Sequence, residues 1–317
     1  MIEKDLHCAK IELGEQVFAP GVHHFAHSAM ATMFEIYCTH PDANYAGQAA
    51  RAAFDLVDRL ESDLSRFIEN SDISRINSLE SGQRASVSPS TLDCLQTAVL
   101  MYHETGKVFD ISIGSGLESL ELSPDEMTVG TQSAGVQLDL GGIGKGYAVD
   151  RMAEVLEDWE ITEALLHGGF SSVMVLEPPR NRDGWVLTLS MPGSSNSDVL
   201  ARVSARHRVF SASGIQKGMH IIDPRDGKPA QCRMGAWASL PRPTGQSTES
   251  AEQTGDVSRM EHSAATIAEA WSTAFMILAT DEVAAHCAAQ PGLEAWLIED
   301  NPGDESGVTS FLHLPGA

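Results

Sequence analysis

The chain has 317 residues, of which 44 are acidic and 21 are basic, so its formal net charge at pH 7 is −23. A surface this acidic repels nucleic acid and anionic membranes, which excludes both as non-specific partners. The sequence contains no apolar run near the roughly 18–20 residues that span a bilayer, so no membrane span is expected. A polyanionic ligand would need a local positive site or a divalent cation to bind here.

The chain begins with a charged stretch, and we interpret residues 1–22 as an N-terminal extension. The stretch lacks the apolar segment of a secretory or lipoprotein signal, which favours a cytoplasmic location. The five cysteines are widely spaced and form no C-x-x-C pair. This pattern is typical of reduced thiols in a cytoplasmic protein and argues against a disulfide framework or a zinc site.

The first third of the chain predicts one strand followed by two helices. Residues 32–38 form a strand-like run, and apolar residues recur at helical spacing over residues 44–67. The second helix is predicted to begin with Ser88 as its N-cap and Pro89 at its first position. Gly106 is the expected C-terminal stop of that helix.

The rest of the chain mixes strands with helices. After the segment ALLHGG (164–169), strands are predicted over residues 172–176, 185–190, 295–299 and 308–314. Helices follow residue 146, run through residues 267–278 and begin again near Thr280. Ser239–His262 is rich in Ser, Thr, Gly, Gln and Glu and is interpreted as a mobile loop. Because hairpin-like strand pairs accompany the alternation, the expected fold class is mixed α+β, in one domain over residues 23–317.

A glycine-rich turn with a lysine is the clearest ligand signal. Residues 138–150 read LDLGGIGKGYAVD, with four glycines and Lys145 between a short apolar run and an amphipathic helix. Glycine lets a backbone approach a phosphate closely, and the N–H groups that open a helix have no partner within it. The helix dipole and Lys145 add positive charge at that point. The spacing matches neither the Rossmann nor the P-loop pattern, and an ordinary strand-to-helix connection is the alternative.

Two further segments group side chains that could do chemistry. Residues 220–229, HIIDPRDGKP, hold a histidine, two carboxylates and two cations, although a simple hairpin turn explains the same letters. Glu269 and Thr273 are four residues apart and share one helical face. Such hard oxygen ligands suit Mg²⁺ or Ca²⁺, with phosphate oxygens and water completing the shell. A solvated Glu and a Thr bonded to its own helix are the alternative.

Three other patterns are weaker. Residues 211–214, SASG, lack the G-x-S-x-G frame of a nucleophile, and the chain contains no H-E-x-x-H. His23, His24 and His27 could bind a metal or simply belong to a polar segment. The sequence Val108-Phe109-Asp110 by itself is only an apolar pair followed by an acid, typical of a strand end.

Six segments follow one another in a characteristic order, namely LSRF with SDISRIN (64–77), VFD (108–110), DLGGIGKG (139–146), GG (168–169), HIIDPR (220–225) and EAWST (269–273). This order resembles the ApbE family of FAD:protein FMN transferases, from about Ala29 to the C-terminus. The resemblance implies an α+β fold of the ApbE (T-fold-like) type, with sheets covered by helices. It also implies that FAD binds with Mg²⁺ and that FMN is transferred to a Thr or Ser hydroxyl of an acceptor protein, with release of AMP.

The resemblance also implies roles for individual residues. Asp139 and Lys145 would contact FAD, with Lys145 near the pyrophosphate. Mg²⁺ would be held by the Gly142 carbonyl, the Glu269 carboxylate, the Ser272 carbonyl and the Thr273 hydroxyl. The flavin and adenine would be lined by Met30, Phe67, Val108, Phe109, Asp110 and Ile222. His220 and Asp223 are the expected catalytic pair, with His220 positioning the acceptor hydroxyl or taking its proton.

The chain departs from the family pattern at several points. Glu269 stands where the family usually has Asp, Phe67 where Tyr is usual, and Phe170 where an acid usually follows the glycine pair. The links 110–136 and 211–220 are short, and no export signal is recognised. Three functions therefore stay open: an FMN transferase, an FAD- or nucleotide-binding protein without transferase activity, and a metal-dependent FAD pyrophosphatase with water as acceptor.

Overall fold

The computed structural model describes residues 10–13, 19–180, 182–190, 199–214, 221–230, 233–243, 263–299 and 310–316. Its strands are β1 (Lys10–Leu13), β2 (Val22–Ala29), β3 (Thr32–Thr39), β4 (Arg84–Ser86), β5 (Leu120–Ser123), β6 (Thr128–Thr131), β7 (Ala164–Gly168), β8 (Ser172–Val175), β9 (Trp185–Ser190), β10 (Val199–Ala205), β11 (Arg208–Gly214), β12 (Ile222–Asp223), β13 (Lys228–Pro229), β14 (Arg233–Pro241), β15 (Glu294–Glu299) and β16 (Ser310–Leu314). Its α-helices are α1 (Ala43–Leu64), α2 (Asp72–Ile76), α3 (Pro89–Glu104), α4 (Gly144–Asp158), α5 (Ala264–Phe275) and α6 (Thr280–Ala289).

Eight of these strands form one sheet in the order β16-β15-β14-β11-β8-β7-β3-β2. Every neighbouring pair in this sheet is antiparallel. Two three-stranded sheets, β1-β9-β10 and β4-β6-β5, and the small β12–β13 hairpin complete the strand pairing of the described residues. The prediction of a mixed α+β fold is confirmed.

The two faces of the eight-stranded sheet are covered differently. Along β7, Leu166 belongs to the large apolar core shared with α1, α4 and α5, whereas Leu165 faces the second core. Successive side chains of a strand point to opposite faces, so one strand serves both cores. The second core is closed by the β1-β9-β10 sheet, in which Trp185 and Leu187 are fully buried. In the described part of the chain, helices therefore cover only one face of the central sheet.

The helix ends follow local signals in the sequence. As predicted, the Ser88 hydroxyl accepts a bond from the Thr91 N–H, and Pro89 occupies the first position of α3. Gly106, with φ of +63°, follows the end of α3. The helix predicted over residues 44–67 ends three residues earlier, at Leu64, because the backbone becomes extended at Ser65, whose hydroxyl accepts the Phe67 N–H.

Two segments are more ordered than their composition indicates. Part of the predicted N-terminal extension forms β1, in which Ile11 is buried against β9. The loop predicted over Ser239–His262 starts too early, because β14 continues to Pro241. Ser239 pairs with both neighbouring strands, and its hydroxyl accepts from Arg208 Nε at 2.8 Å. Residues 244–262 of that loop lie outside the described residues.

Among the described residues, no helix is long and apolar enough to cross a membrane. Three of the five cysteines fall within the described ranges, and Cys38, Cys94 and Cys287 are buried free thiols. Burial raises the pKa of the Cys38 and Cys287 thiols to about 11, which disfavours the reactive thiolate at neutral pH.

Candidate nucleotide-binding site

The glycine–lysine turn forms a short 3-10 segment, Leu140–Gly142, followed directly by α4. Asp139 caps this turn, because its carboxylate accepts the Gly141 N–H at 2.9 Å. The same carboxylate lies 3.3 Å from the Arg66 guanidinium, which tethers the turn to the loop after α1. No strand leads into this turn, because residues 136–139 are irregular; it is a capped turn that places Lys145 in the first turn of α4.

A cavity of about 490 Å³ opens beside this turn. Four of the residues predicted to contact FAD line it, namely Met30, Phe67, Asp139 and Lys145. The lining also includes residues to which the sequence assigned no ligand contact, among them Glu61, Arg66, Ile68 and Phe170. Phe67 is 82% exposed and lies under the Arg66 guanidinium at 4.7 Å, so its ring offers a large apolar face at the cavity wall. A cavity with apolar walls and a few convergent charges is the usual form of a ligand site.

Glu269 of α5 reaches the start of α4. Its buried carboxylate accepts one bond from Lys145 Nζ and another from the Gly146 N–H at 2.5 Å. The first N–H groups of a helix lack partners within it, so this carboxylate satisfies one of them and sits at the positive end of the helix dipole. The cation and the carboxylate that the sequence predicted for two different ligands therefore contact each other.

The two helices can approach this closely because residue 146 is glycine. A Cβ at Gly146 would lie 2.3 Å from the Ala265 carbonyl oxygen and 2.9 Å from Thr266 Cα. Both contacts are with backbone, which cannot rotate away as a side chain would. Gly146 is therefore needed for the close packing of α4 against α5. An interpretation of the motif as a phosphate-binding turn does not predict this role.

The other residues predicted to bind Mg²⁺ also converge. A Cβ at Gly142 would lie 3.5 Å from Thr273 Oγ1, so the turn and α5 are in contact. In a regular α-helix the Met276 N–H would donate to the Ser272 carbonyl. Here it donates instead to the Thr273 and Ala274 carbonyls, so the Ser272 carbonyl does not accept this helical bond. Thr273 Oγ1 donates to the Glu269 carbonyl at 3.1 Å.

This donor set fits a magnesium ion in kind. One carboxylate, two backbone carbonyls and one hydroxyl are hard oxygen donors, and Mg²⁺ commonly takes few protein ligands and fills its shell with water and phosphate oxygens. Within the described part of the chain, no group of three or more His, Cys, Asp or Glu side chains could hold a metal. A cation here would thus rely on Glu269, on carbonyls and on its ligand's own phosphates.

Two serines of β11 extend the polar side of α5. Ser213 Oγ lies 2.9 Å from Ser272 Oγ and 3.4 Å from Thr273 Oγ1. Ser272 Oγ donates in turn to Ser211 Oγ at 3.3 Å. Sequence reasoning discarded Ser211 and Ser213 because they lack a nucleophile frame. Their period-two spacing on a strand was the signal that both hydroxyls face the same helix.

Val108, Phe109 and Asp110 follow α3 in a loop and do not form the end of a strand. Phe109 is buried, and its ring would lie 3.4 Å from a Cβ at Gly142, so it packs against the glycine–lysine turn. The Asp110 carboxylate accepts from the Ser112 N–H and hydroxyl and from the Gly114 N–H, which closes this loop. These three residues lie outside the set that lines the cavity.

The hairpin turn that was the alternative interpretation of residues 220–229 is present, and its two strands are β12 and β13. Its turn approaches the loop after Asp110, since a Cβ at Gly114 would lie 3.7 Å from the Pro224 carbonyl oxygen. Arg225 donates hydrogen bonds from Nε and Nη2 to the Asp223 carboxylate oxygens at 2.8–3.1 Å. These bonds lower the pKa of the Asp223 carboxyl. Ile222 is half-buried on the first strand and is not a cavity-lining residue. His220 lies outside the described residues.

The three N-terminal histidines lie on β2, and each has a separate partner outside that strand. His23 Nε2 lies 2.8 Å from the His40 carbonyl, His24 Nε2 lies 2.8 Å from Glu35, and His27 Nε2 lies 2.7 Å from Asp58. Of the two interpretations of this cluster, the structure favours the polar strand.

Comparison with solved structures shows the fold. The flavin transferase ApbE from Vibrio cholerae matches with a TM-score of 0.74 and 17% identity, over 92% of this chain and 96% of that one. The ApbE protein from Thermotoga maritima matches with a TM-score of 0.73 and 20% identity, over 91% and 96% of the two chains. Both define an α+β protein of the ApbE architecture.

Comparison of sequences shows the family. The ApbE family model matches residues 30–237, which is more than half of the chain, and the chain belongs to the ApbE family. The FAD:protein FMN transferase of Klebsiella pneumoniae is 30% identical over 118 residues, or 34% of this chain and 36% of that protein. The Vibrio cholerae protein of the same name is 23% identical over 220 residues, or 56% and 64%. The matched segments thus span less than two thirds of these relatives' length.

Proposed function

We propose that this protein transfers FMN from FAD to a Thr or Ser hydroxyl of an acceptor protein, releases AMP, and requires Mg²⁺ for the reaction. The family membership and the name of the curated relatives support the reaction class. The observation that carries the proposal is the convergence of Lys145, Glu269, Gly142 and Thr273 beside a cavity large enough for part of a dinucleotide.

FAD would enter the cavity with its pyrophosphate near the start of α4. Lys145 and the N-terminal end of this helix supply positive charge in an otherwise acidic protein. Asp139 and Arg66 hold the turn in place. Phe67 and Met30 offer apolar surface for the flavin or the adenine, and the loop that carries Val108, Phe109 and Asp110 supports the opposite side of the turn.

The residues that would hold Mg²⁺ are Gly142, Glu269, Ser272 and Thr273. When bound, the ion would act as a Lewis acid that neutralises charge on the phosphoanhydride. Ser213 would help to orient the Thr273 hydroxyl, because the two oxygens are 3.4 Å apart.

In the transfer, the acceptor hydroxyl oxygen bonds to the FMN phosphorus, the bond between that phosphorus and the bridging anhydride oxygen breaks, and AMP leaves with this oxygen. The hydroxyl proton passes to a base. His220 is the proposed base, since Arg225 lowers the pKa of Asp223 and makes that carboxylate a weaker proton acceptor. Asp223 would hold the turn that carries the HIIDPR motif.

One observation favours a second candidate, an FAD-binding protein without transferase activity. Both oxygens of Glu269 already accept bonds, one from Lys145 and one from Gly146. If this ion pair persists when FAD binds, the carboxylate offers little to a cation, and FAD would bind without being cleaved.

The test incubates the protein with FAD, Mg²⁺ and a flavin-acceptor protein that carries a suitable Thr. Covalent FMN on the acceptor, detected by in-gel fluorescence and mass spectrometry, would support the transferase. Free FMN and AMP would indicate the pyrophosphatase, and bound intact FAD would indicate the binding protein. Glu269→Asp should retain or raise the Mg²⁺-dependent activity, with Glu104→Asp on the exposed surface as control. Complete loss with Glu269→Asp would show a site built around the longer acid.

A further inference from the structure

Each of the helices α4 and α5 provides a carboxylate that accepts hydrogen bonds from the N-terminal N–H groups of the other helix. Glu269 of α5 accepts the Gly146 N–H at the start of α4. In the opposite direction, Asp150 of α4 accepts the N–H groups of Ala265 and Thr266 at the start of α5, at 2.9 and 2.8 Å, and also the Thr266 hydroxyl at 2.5 Å. Each helix therefore caps the other.

These reciprocal capping bonds span one turn of each helix. Gly146 and Asp150 are four residues apart on α4, and Ala265 and Glu269 are four residues apart on α5, so each pair lies on one helical face. The backbones of α4 and α5 are in close contact between the two sets of capping bonds, since a Cβ at Gly146 would lie 2.3 Å from the Ala265 carbonyl oxygen. A slide or rotation of α5 against α4 would break bonds at both ends together.

The N-terminus of α5 is capped from another helix although its own sequence offers a capping residue. Its N-cap residue is Ser263, a residue type that caps well, yet the Ser263 side chain makes no capping bond. The cap comes instead from Asp150, which is 3% exposed. Burial raises the pKa of the Asp150 carboxyl to about 6, which shows that placing a charge here is costly. A serine cap would have avoided that cost, so the carboxylate of α4 serves the relative position of the two helices.

We infer that Asp150 is a positioning residue of the nucleotide site: by fixing the start of α5 on α4, it sets the Glu269 carboxylate against Lys145 and Gly146. Asp150 is absent from the cavity lining, and its hydrogen bonds go to Ala265 and Thr266, neither of which is proposed to bind the metal. It acts one helical turn away, through the backbone of α5. The inference rests on the proposed function only for the identity of the ligand.

The test compares Asp150→Asn with Asp158→Asn, an exposed acid on the same helix. Hydrogen–deuterium exchange of the peptide over residues 141–150 reports the Gly146 N–H without any ligand. The dissociation constant for FAD, from quenching of flavin fluorescence, reports the site. We expect Asp150→Asn to speed exchange at Gly146 and to weaken FAD binding, each by roughly tenfold, the effect of losing one charged hydrogen bond. Asp158→Asn should change neither.

Two further variants separate positioning from stability. Asp150→Ser keeps an oxygen acceptor and should recover part of the FAD affinity that Asp150→Ala loses, when both are measured well below their melting temperatures. Thr266→Val removes only one of the three bonds to Asp150, so it keeps the test available if Asp150→Asn does not fold. A lower melting temperature with unchanged exchange at Gly146 and unchanged FAD affinity would overturn the inference. Failure of the wild-type protein to bind FAD would overturn the proposed function, while exchange at Gly146 would still decide the role of Asp150.

Discussion

Lys145 and Glu269 are 124 residues apart in the sequence and form an ion pair between the first turn of α4 and the middle of α5. The Glu269 side chain is 4% exposed and that of Lys145 is 24% exposed, so the pair is largely withdrawn from water at the cavity wall. The cation expected for a pyrophosphate and the carboxylate expected for a metal thus neutralise each other. A cation that uses the Glu269 carboxylate as a ligand has to compete with, or rearrange, that contact.

We expect Lys145→Met to destabilise the protein by about 2 kcal/mol, because the buried Glu269 carboxylate loses its cation and keeps only the Gly146 N–H. Urea unfolding measures this loss, and the same variant should bind FAD more weakly. Lys107→Met is the matched control, since Lys107 pairs with Glu118 on the exposed surface and should contribute no measurable stability. Unchanged FAD affinity in Lys145→Met would remove this residue from the phosphate site.

Two glycines in helices should respond in opposite ways to the same substitution. Gly146→Ala would push a methyl group into the Ala265 carbonyl and should cost roughly 3 kcal/mol or more. Gly47→Ala in α1 meets only the Phe25 ring, with Cε1 at 3.5 Å and Cζ at 3.8 Å, both ordinary contact distances, and should gain about 0.5–1 kcal/mol from helix propensity. Melting temperatures of the two variants check this pair. A stable Gly146→Ala protein would contradict the close contact between α4 and α5.

The turn between β2 and β3 should relax when a glycine is introduced. Met30 and Ala31 have φ of +49° and +57°, a backbone region in which side chains are strained, and both line the cavity. Ala31→Gly should therefore raise the free energy of unfolding, by about 0.5 kcal/mol after the greater chain entropy of glycine is counted. Ala85→Gly within β4 is the control and should lower stability. Loss of stability in Ala31→Gly would show that the turn is unstrained.

The acid stability of the protein should depend on Glu35. Its carboxyl pKa is lowered from 4.5 to about 2, chiefly by the hydrogen bond with His167 and further by bonds with Tyr37 and His24, against an opposing effect of burial. Because the pKa is depressed in the folded state, this stabilisation is present above pH 4.5 and is lost as the pH falls towards 2.

The Glu35→Gln variant should therefore be less stable than the wild-type protein near neutral pH, and the difference should shrink as the pH is lowered. Urea unfolding at a series of pH values between about 6 and 3 measures this convergence. Glu104→Gln at an exposed position should follow the wild-type curve throughout. A Glu35→Gln curve parallel to that of the wild type would refute the assignment.

Local features of the fold could be predicted from the sequence because their causes are local. The Ser88–Pro89 start of α3 and the Gly227 turn of the β12–β13 hairpin are set by residues within a few positions. The β1–β9 pairing was missed because its partners are distant in the chain, and a short strand has no signal of its own. The start of the loop predicted at Ser239 was misplaced for the same reason, since Ser239 looks like a loop residue until both neighbouring strands are known.

The sequence by itself determined the parts of the candidate site: the glycine–lysine turn before α4, and the face of α5 that carries Glu269 and Thr273. It also determined the family, which the match over residues 30–237 confirms. Only the tertiary structure decided that Glu269 binds Lys145 and the Gly146 N–H, and that Asp150 caps α5 in return. Those contacts depend on how closely the two helices cross. That distance is fixed by packing between backbones more than a hundred residues apart, which no local pattern in the sequence records.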